Sequence, residues 1–229
     1  MTILQSGYYM GDSVSNHLCS VSEIILGVFN KHYTYSDLET EIVLVRPSDI
    51  DKYGSIAHKK IEHLILTTDR DMSRYYLKTD DVVLIRAAAR SYFPQKNTEL
   101  GLSRGPVMRA GVVSEDIEKN RVLASTNCIV IRPNENKLCA RFLVTYLNSS
   151  IGQYELLKLC NKGAAALQHF SMKELKNLEV PIPQISDQEK IANMYYESNE
   201  AYKNALDKAE QYKRKAADDI VYLIEQMIT

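Results

Sequence analysis

Between Arg86 and Arg109 the sequence sets five cations, Arg86, Arg90, Lys96, Arg104 and Arg109, against one acid, Glu99, in a chain of formal net charge −1. Gln95 and Asn97 stand among them, with two aromatic residues, Tyr92 and Phe93. Guanidinium groups donate as planar forks, ammonium groups as point charges, and carboxamides donate and accept side by side. Such a set can grip anions or read the polar edge of a planar partner. It can equally be a solvated loop of mixed charge.

Reactive constellations are missing. No G-x-x-x-x-G-K-[ST] or G-x-G-x-x-G segment occurs, which argues against a phosphate cradle and a dinucleotide site. The string GLSRG at Gly101–Gly105 lies in an irregular run rather than between a strand and a helix, so it does not read as a serine nucleophile elbow. The five histidines (His17, His32, His58, His63, His169) show no metal-ligand spacing, and Cys19, Cys128, Cys139 and Cys160 form no C-x-x-C pair. Asp81, next to Asp80, enters a strand-like run and is expected to cap a turn rather than act as an acid or base. Neither the Asn/Asp-Pro-Pro-aromatic motif of amino-methyltransferases nor a nuclease carboxylate–lysine cluster is present. The chain reads as a binder rather than an enzyme, with no cofactor and no metal.

The elements that must position these residues read as mixed α and β over positions 1–186. Short β-branched runs bounded by polar residues, Pro or Gly predict strands at Glu41–Pro47, His63–Thr68, Asp81–Ala87, Val107–Val113 and Asn127–Pro133. Ser20 stands three residues before Glu23, a capping-box spacing that predicts a helix over Ser20–Phe29. A second helix is expected where Leu138, Phe142, Tyr146 and Leu147 share a face, and a third where Ser171 precedes Glu174. Arg90–Gly111, with two prolines and three glycines, predicts an irregular loop of the length that is usually functional or disordered.

At 187–229 the pattern changes. Pro181 and Pro183 stop the preceding element, and Ser186 with Glu189 predicts a capping box opening a new helix. Its apolar stripe runs Ile191, Tyr195, Ser198, Tyr202, Ala205, Ala209, Tyr212, Ala216, Ile220, Leu223, Met227, with heptad-like steps up to Ala216. No Gly or Pro interrupts it, so roughly 40 residues at 1.5 Å each give a rod of about 60 Å. A free helix with that stripe is marginal, so an antiparallel partner helix is expected, against the alternative of a helix folded back on its own domain. Charge divides at the same place: 22 bases and 20 acids precede Asp187, while six bases and nine acids follow. Hydrophobic residues at 45% and charged residues at 25% fit an ordinary globular chain. The start carries no basic n-region or apolar h-region and no run suits a membrane span, so a reducing cytoplasm is the expected setting.

The segment "KGAAALQHFSMKELKNLEVPIPQISDQEKIA", Lys162 to Ala192, resembles the close of each target recognition domain in DNA-specificity subunits of type I restriction–modification systems. The family pattern is a Gly with small neighbours, a Ser-x-x-x-Leu helix, an apolar–Pro–x–Pro turn, then x-x-Glu-Gln-x-x-Ile-Ala opening a long helix. Here Gln188 and Glu189 stand in reversed order. "LKTDDVVLIRAA" is similar to the family's loop–Gly–Asp–strand element, with Asp80 in place of the usual Gly. "SEIILGVFNKH" resembles its opening helix, with Gly27, and "ASTNCIVIRPNENKLCARFLVTYLNSS" its strand–turn–helix. The likeness extends over the whole chain and is strongest in the last third.

The resemblance implies an α/β recognition domain (1–186) that reads one half of a bipartite duplex DNA target, and a spacer helix (187–229) that docks a methyltransferase subunit. It leaves open whether a nuclease subunit joins. Relatives carry two recognition domains and two spacer helices; this sequence has no internal repeat, so a homodimer is expected to restore the pair. Under this reading Arg90, Tyr92, Gln95, Lys96, Asn97 and Arg104 contact bases. Lys31, Arg74 and Lys162 contact phosphates, and Gln168 and His169 form a second reading element. Ile191, Tyr195, Tyr202, Ala205, Ala209, Tyr212, Ala216, Ile220, Leu223 and Met227 face the partner helix. Two readings of other classes remain: a non-catalytic protein-interaction adaptor that uses the helix for assembly, and a nuclease or methyltransferase fragment, which the missing motifs disfavour.

Overall fold

The computed structural model describes residues 14–38, 40, 42–56, 63–89, 107–119, 121–160 and 167–228. In chain order these form β1 (Val14–His17), α1 (Leu18–Val21), β2 (Ser22–Leu26), β3 (Tyr33–Tyr35), β4 (Ile42–Val45), β5 (Leu64–Leu66), β6 (Val82–Ile85), β7 (Ala87–Ala89) and β8 (Ala110–Val112). Then follow α2 (Glu115–Glu118), β9 (Arg121–Ala124), β10 (Cys128–Pro133), α3 (Ala140–Asn148), α4 (Ser150–Leu159), β11 (Leu167–His169), α5 (Met172–Lys176), β12 (Glu179–Ile182) and α6 (Ile185–Ile228).

The central sheet is antiparallel in the order β2-β10-β6-β8. Its two inner strands carry continuous apolar runs, and Val82–Ile85 and Cys128–Ile131 are buried along their whole length, as strands covered on both faces must be. Parallel pairing of β4 with β9 builds a wall between two apolar clusters. Val43, Val45, Val122 and Ala124 point into one, while Leu44 and Leu123 point into the other beside Tyr33 and Leu64. The alternation is the two-residue period of a strand used on both sides. β1 pairs antiparallel with β12, joining positions 14–17 to 179–182.

The helix expected over Ser20–Phe29 is not formed. α1 covers only Leu18–Val21, and Ser22–Leu26 is strand β2, with Ile24 and Ile25 opposite Ile131 and Val130. A short apolar run has no period that separates helix from strand, and β-branched Ile24 and Ile25 favour the pleated surface that β10 offers. Gly27 follows because the chain crosses close to another: a Cβ there would lie 1.9 Å from the Ser125 carbonyl oxygen.

The Asp80–Asp81 pair is structural. Asp81 is buried; its Oδ2 accepts from the Lys78 backbone N–H at 2.9 Å, closing the expected turn. Arg132 donates to both its carboxylate oxygens at 2.8 Å, so the buried charge has a bidentate partner. Asp80 sits at φ 64, the left-handed region that glycine occupies without steric cost. The capping box of Ser171 and Glu174 forms as expected at the head of α5.

The chain divides into two compact units, Met1–Ala192 and Asn193–Thr229. α6 starts at Ile185, so Ser186 lies inside its first turn and is not the cap that the sequence suggests; the Gln184 carbonyl instead accepts from the Asp187 and Gln188 N–H groups. The fixed φ of Pro183 lets helical geometry begin directly behind it. Within the first unit the root of α6 is fastened by Gln188, which is wholly buried. Its Oε1 accepts from the Cys139 N–H at 2.8 Å, and its Nε2 donates to the Lys137 and Pro183 carbonyls at 2.9 and 2.8 Å.

Candidate functional site

Two candidate reading segments attach to one small sheet. β7 ends at Ala89 and β11 begins at Leu167, and the strands pair antiparallel with Ala89 opposite Leu167, Ala88 opposite Gln168 and Ala87 opposite His169. The chain therefore departs toward position 90 beside the point where it arrives from position 166. Arg90, Tyr92, Gln95, Lys96, Asn97, Arg104 and Lys162 lie outside the described residues. The shared root is itself held inward: the Arg86 N–H donates to the Asn127 carbonyl at 3.1 Å, and the fully buried Phe170 donates its N–H to the Arg86 carbonyl.

The other end of the first segment returns at Val107 and is gripped by two buried carboxamides from the α3–α4 corner. Asn148 accepts from the Ala110 N–H at 2.8 Å and donates to the Ala110 carbonyl at 2.9 Å, as a neighbouring strand would. Gln153 accepts from the Val107 and Met108 N–H groups at 2.8 and 3.0 Å, and donates to the Met108 and Leu147 carbonyls at 3.1 and 2.7 Å. The corner is tight. Ser149 caps α4 by accepting from the Gly152 N–H, and a Cβ on Gly152 would lie 2.0 Å from the Tyr146 carbonyl oxygen. Arg109, on the same return limb, donates from Nη2 to the Pro47 carbonyl at 3.2 Å.

The remaining candidates are scattered over several elements. His169 is exposed on β11, directly before the fully buried Phe170. Nearby, the Ser171 backbone N–H and hydroxyl hold the Glu174 carboxyl below its ordinary range. Lys31 is exposed in a 3-10 turn at Asn30–His32. Arg74 lies in another such turn, Ser73–Tyr75, and is ion-paired with Glu23 at 2.7 Å, which competes with any phosphate. Sequence reasoning missed Asn148, Gln153 and Gln188. Nothing in their sequence neighbours marks them: Gln188 stands between Asp187 and Glu189 and Asn148 precedes two serines, so each reads as a surface position until its backbone partners are seen.

In the second unit every residue from Asn204 to Ile228 is exposed. The expected stripe includes Tyr202 at 51%, Tyr212 at 76%, Leu223 at 60% and Met227 at 86% exposure, more apolar surface than a solitary helix keeps in water. Val221, Tyr222, Ile224 and Ile228 are exposed too, so the apolar surface broadens beyond the stripe in the last turns. Among the described residues no cluster of His, Cys, Asp or Glu is arranged to hold a metal ion, and no helix is long and apolar enough to cross a membrane.

Comparison with known proteins agrees with this architecture. Among solved structures, the HsdS subunit from Thermoanaerobacter tengcongensis superposes with a TM-score of 0.55 at 18% identity, over 93% of this chain and 47% of its own. A structure concerned with complex assembly and conformational transition of the type I R-M system gives 0.55 at 17% identity, over 97% of this chain and 50% of that one. The type I restriction-modification system S subunit from M. genitalium gives 0.51 at 14%, over 88% and 42%. The chain thus spans about half the length of each of these proteins. A comparison with curated protein sequences returns no match. Residues 88–194, from the paired root at β7 into the first turns of α6, match the family described as type I restriction modification DNA specificity domain. Over residues 88–194 the chain is therefore similar to the type I restriction modification DNA specificity domain, and it shares its fold with these S subunits.

Proposed function

We propose that the chain reads one half of a bipartite duplex DNA target, docks a methyltransferase subunit, and supplies no catalysis itself. The observation that supports this reading is the β7–β11 pairing, which sets Ala89 opposite Leu167 within the segment matched to the family. Reading requires Arg or Lys toward guanine and Asn or Gln toward adenine, and Arg90, Gln95, Lys96, Asn97 and Arg104 bring these groups. Tyr92 is suited to a thymine methyl or to anchoring the segment. Gln168 and His169 add a second strand-borne pair, while Lys31, Arg74 and Lys162 act on phosphates. α6 pairs antiparallel with a second copy through Ile191, Tyr195, Tyr202, Ala205, Ala209, Tyr212, Ala216, Ile220, Leu223 and Met227.

A selection from randomised duplexes tests the division of roles. Arg104→Ala or Asn97→Ala should cost about 1–3 kcal/mol of discrimination at one base position, whereas Lys31→Ala should weaken all sequences alike and flatten the salt slope. Identical behaviour of all three variants would remove residues 90–106 as the reading element.

One observation favours a protein-interaction adaptor instead: the apolar surface of α6 that broadens at Ile220–Ile228. Retention on duplex DNA that falls steeply with salt separates the two readings.

A further inference from the structure

We propose that Asn148 and Gln153 are specificity-positioning residues: without touching DNA, they fix the limb on which residues 90–106 re-enter the fold. The proposal rests on the reading of that segment as the base-reading element. β8 is an edge strand of the central sheet, and an edge leaves backbone groups without ladder partners. On this edge the Val112 N–H donates to the Gly54 carbonyl at 3.1 Å, while at Ala110 and the residues leading into it side chains supply the partners. Between them the two carboxamides bond five backbone groups of Val107, Met108 and Ala110: the three N–H groups and the carbonyls of Met108 and Ala110. Met108 and Ala110 are buried, so no solvent replaces a lost partner.

The arrangement is more elaborate than packing requires. A leucine at either position would fill the same space, and an apolar corner would bury Leu147 equally well. What leucine cannot do is fix the limb along the chain direction, because apolar contact is non-directional. Hydrogen-bonding both the N–H and the C=O of Ala110 sets the limb's register to a single residue, and base readout needs the segment it carries anchored at that precision. The opposite limb is set by a different device, the β7–β11 ladder, so each end of the segment has its own lock.

The test uses the full chain with Gln153→Glu and Asn148→Asp, which keep shape and acceptor oxygens but lose the N–H donors, alongside Gln153→Met and Asn148→Leu. Affinities for the selected duplex and for a scrambled duplex are measured for each variant that melts cooperatively. The expected result is a fall of about fivefold or more in the ratio of the two affinities, with scrambled-duplex affinity and its salt slope unchanged. Folded variants that keep the wild-type ratio overturn the proposal. A wild-type chain with no preference for any duplex would instead bring down the base-reading assignment itself, and the two failures are thus distinct. Hydrogen exchange on the wild type decides the matter if none of the variants folds. Protection at Val107, Met108 and Ala110 equal to that across Val82–Ile85 upholds the lock, and exchange at free-peptide rates overturns it.

Discussion

Gly27 and Asp80 are two backbone positions with opposite demands. At Gly27 the conflict is with backbone atoms, Ser125 oxygen at 1.9 Å and carbon at 2.5 Å, which cannot swing aside as a side chain does. Gly27→Ala should therefore lower the stability measured by urea unfolding by about 1–3 kcal/mol, the range of overpacked cores. At Asp80 the left-handed φ penalises any Cβ, so Asp80→Gly should leave stability unchanged or raise it by up to about 1 kcal/mol, its gain in strain opposed by a more flexible unfolded chain. The Asp80 N–H keeps its bond to the Val113 carbonyl in either case. The two substitutions run in opposite senses on the same scale, and a Gly27→Ala chain as stable as wild type would contradict the close approach. Asp80 was legible, because the family element carries Gly where this sequence has Asp. Gln188 was legible only as a departure in residue order, and its burial under three hydrogen bonds follows from where Lys137 and Cys139 come to lie.

Among the elements, the strands with strong local signals were the ones the sequence revealed: β4, β5, β6, β8 and β10 each lie inside a predicted run. β7 and β11 were not legible. Three alanines, and Leu-Gln-His, carry no strand propensity, and among the described residues these strands form by pairing with each other across some eighty residues. The helix misread at Ser20–Phe29 failed for the complementary reason, a local cap overridden by pairing with β10. α6 was legible apart from its first turn, where the Ser186 cap did not form, since its pattern is long and uninterrupted. Ala209 lies near the middle of its stripe and is exposed, so Ala209→Glu should leave the isolated helix intact yet bring two carboxylates together across a two-fold axis. Light scattering at micromolar concentration should report a dimer for the wild type and a monomer for the variant. A monomeric wild type would remove the pairing.

For the whole molecule, the proposed antiparallel pairing of two identical chains would carry two identical reading surfaces related by a two-fold axis. The selected target should then be an inverted repeat, two equal half-sites of opposite sense separated by an unread spacer. Sequencing the duplexes retained by the wild type checks this directly, and half-sites that differ would require two different recognition domains. The relatives are about twice the length of this chain, as a pair in one polypeptide would be.

Pairing of β1 with β12 sets an order of events during synthesis. Positions 14–17 find their hydrogen-bonding partner only when positions 179–182 have left the ribosome, so the nascent first unit cannot close around its core until nearly all of it has been made. Such long-range closure makes folding slow relative to helix formation. α6, whose backbone bonds are local, can coil as soon as it emerges. Its apolar surface is thus displayed while the domain ahead of it is still sealing, which makes the crowded interval on a polysome the time of greatest exposure to mispairing.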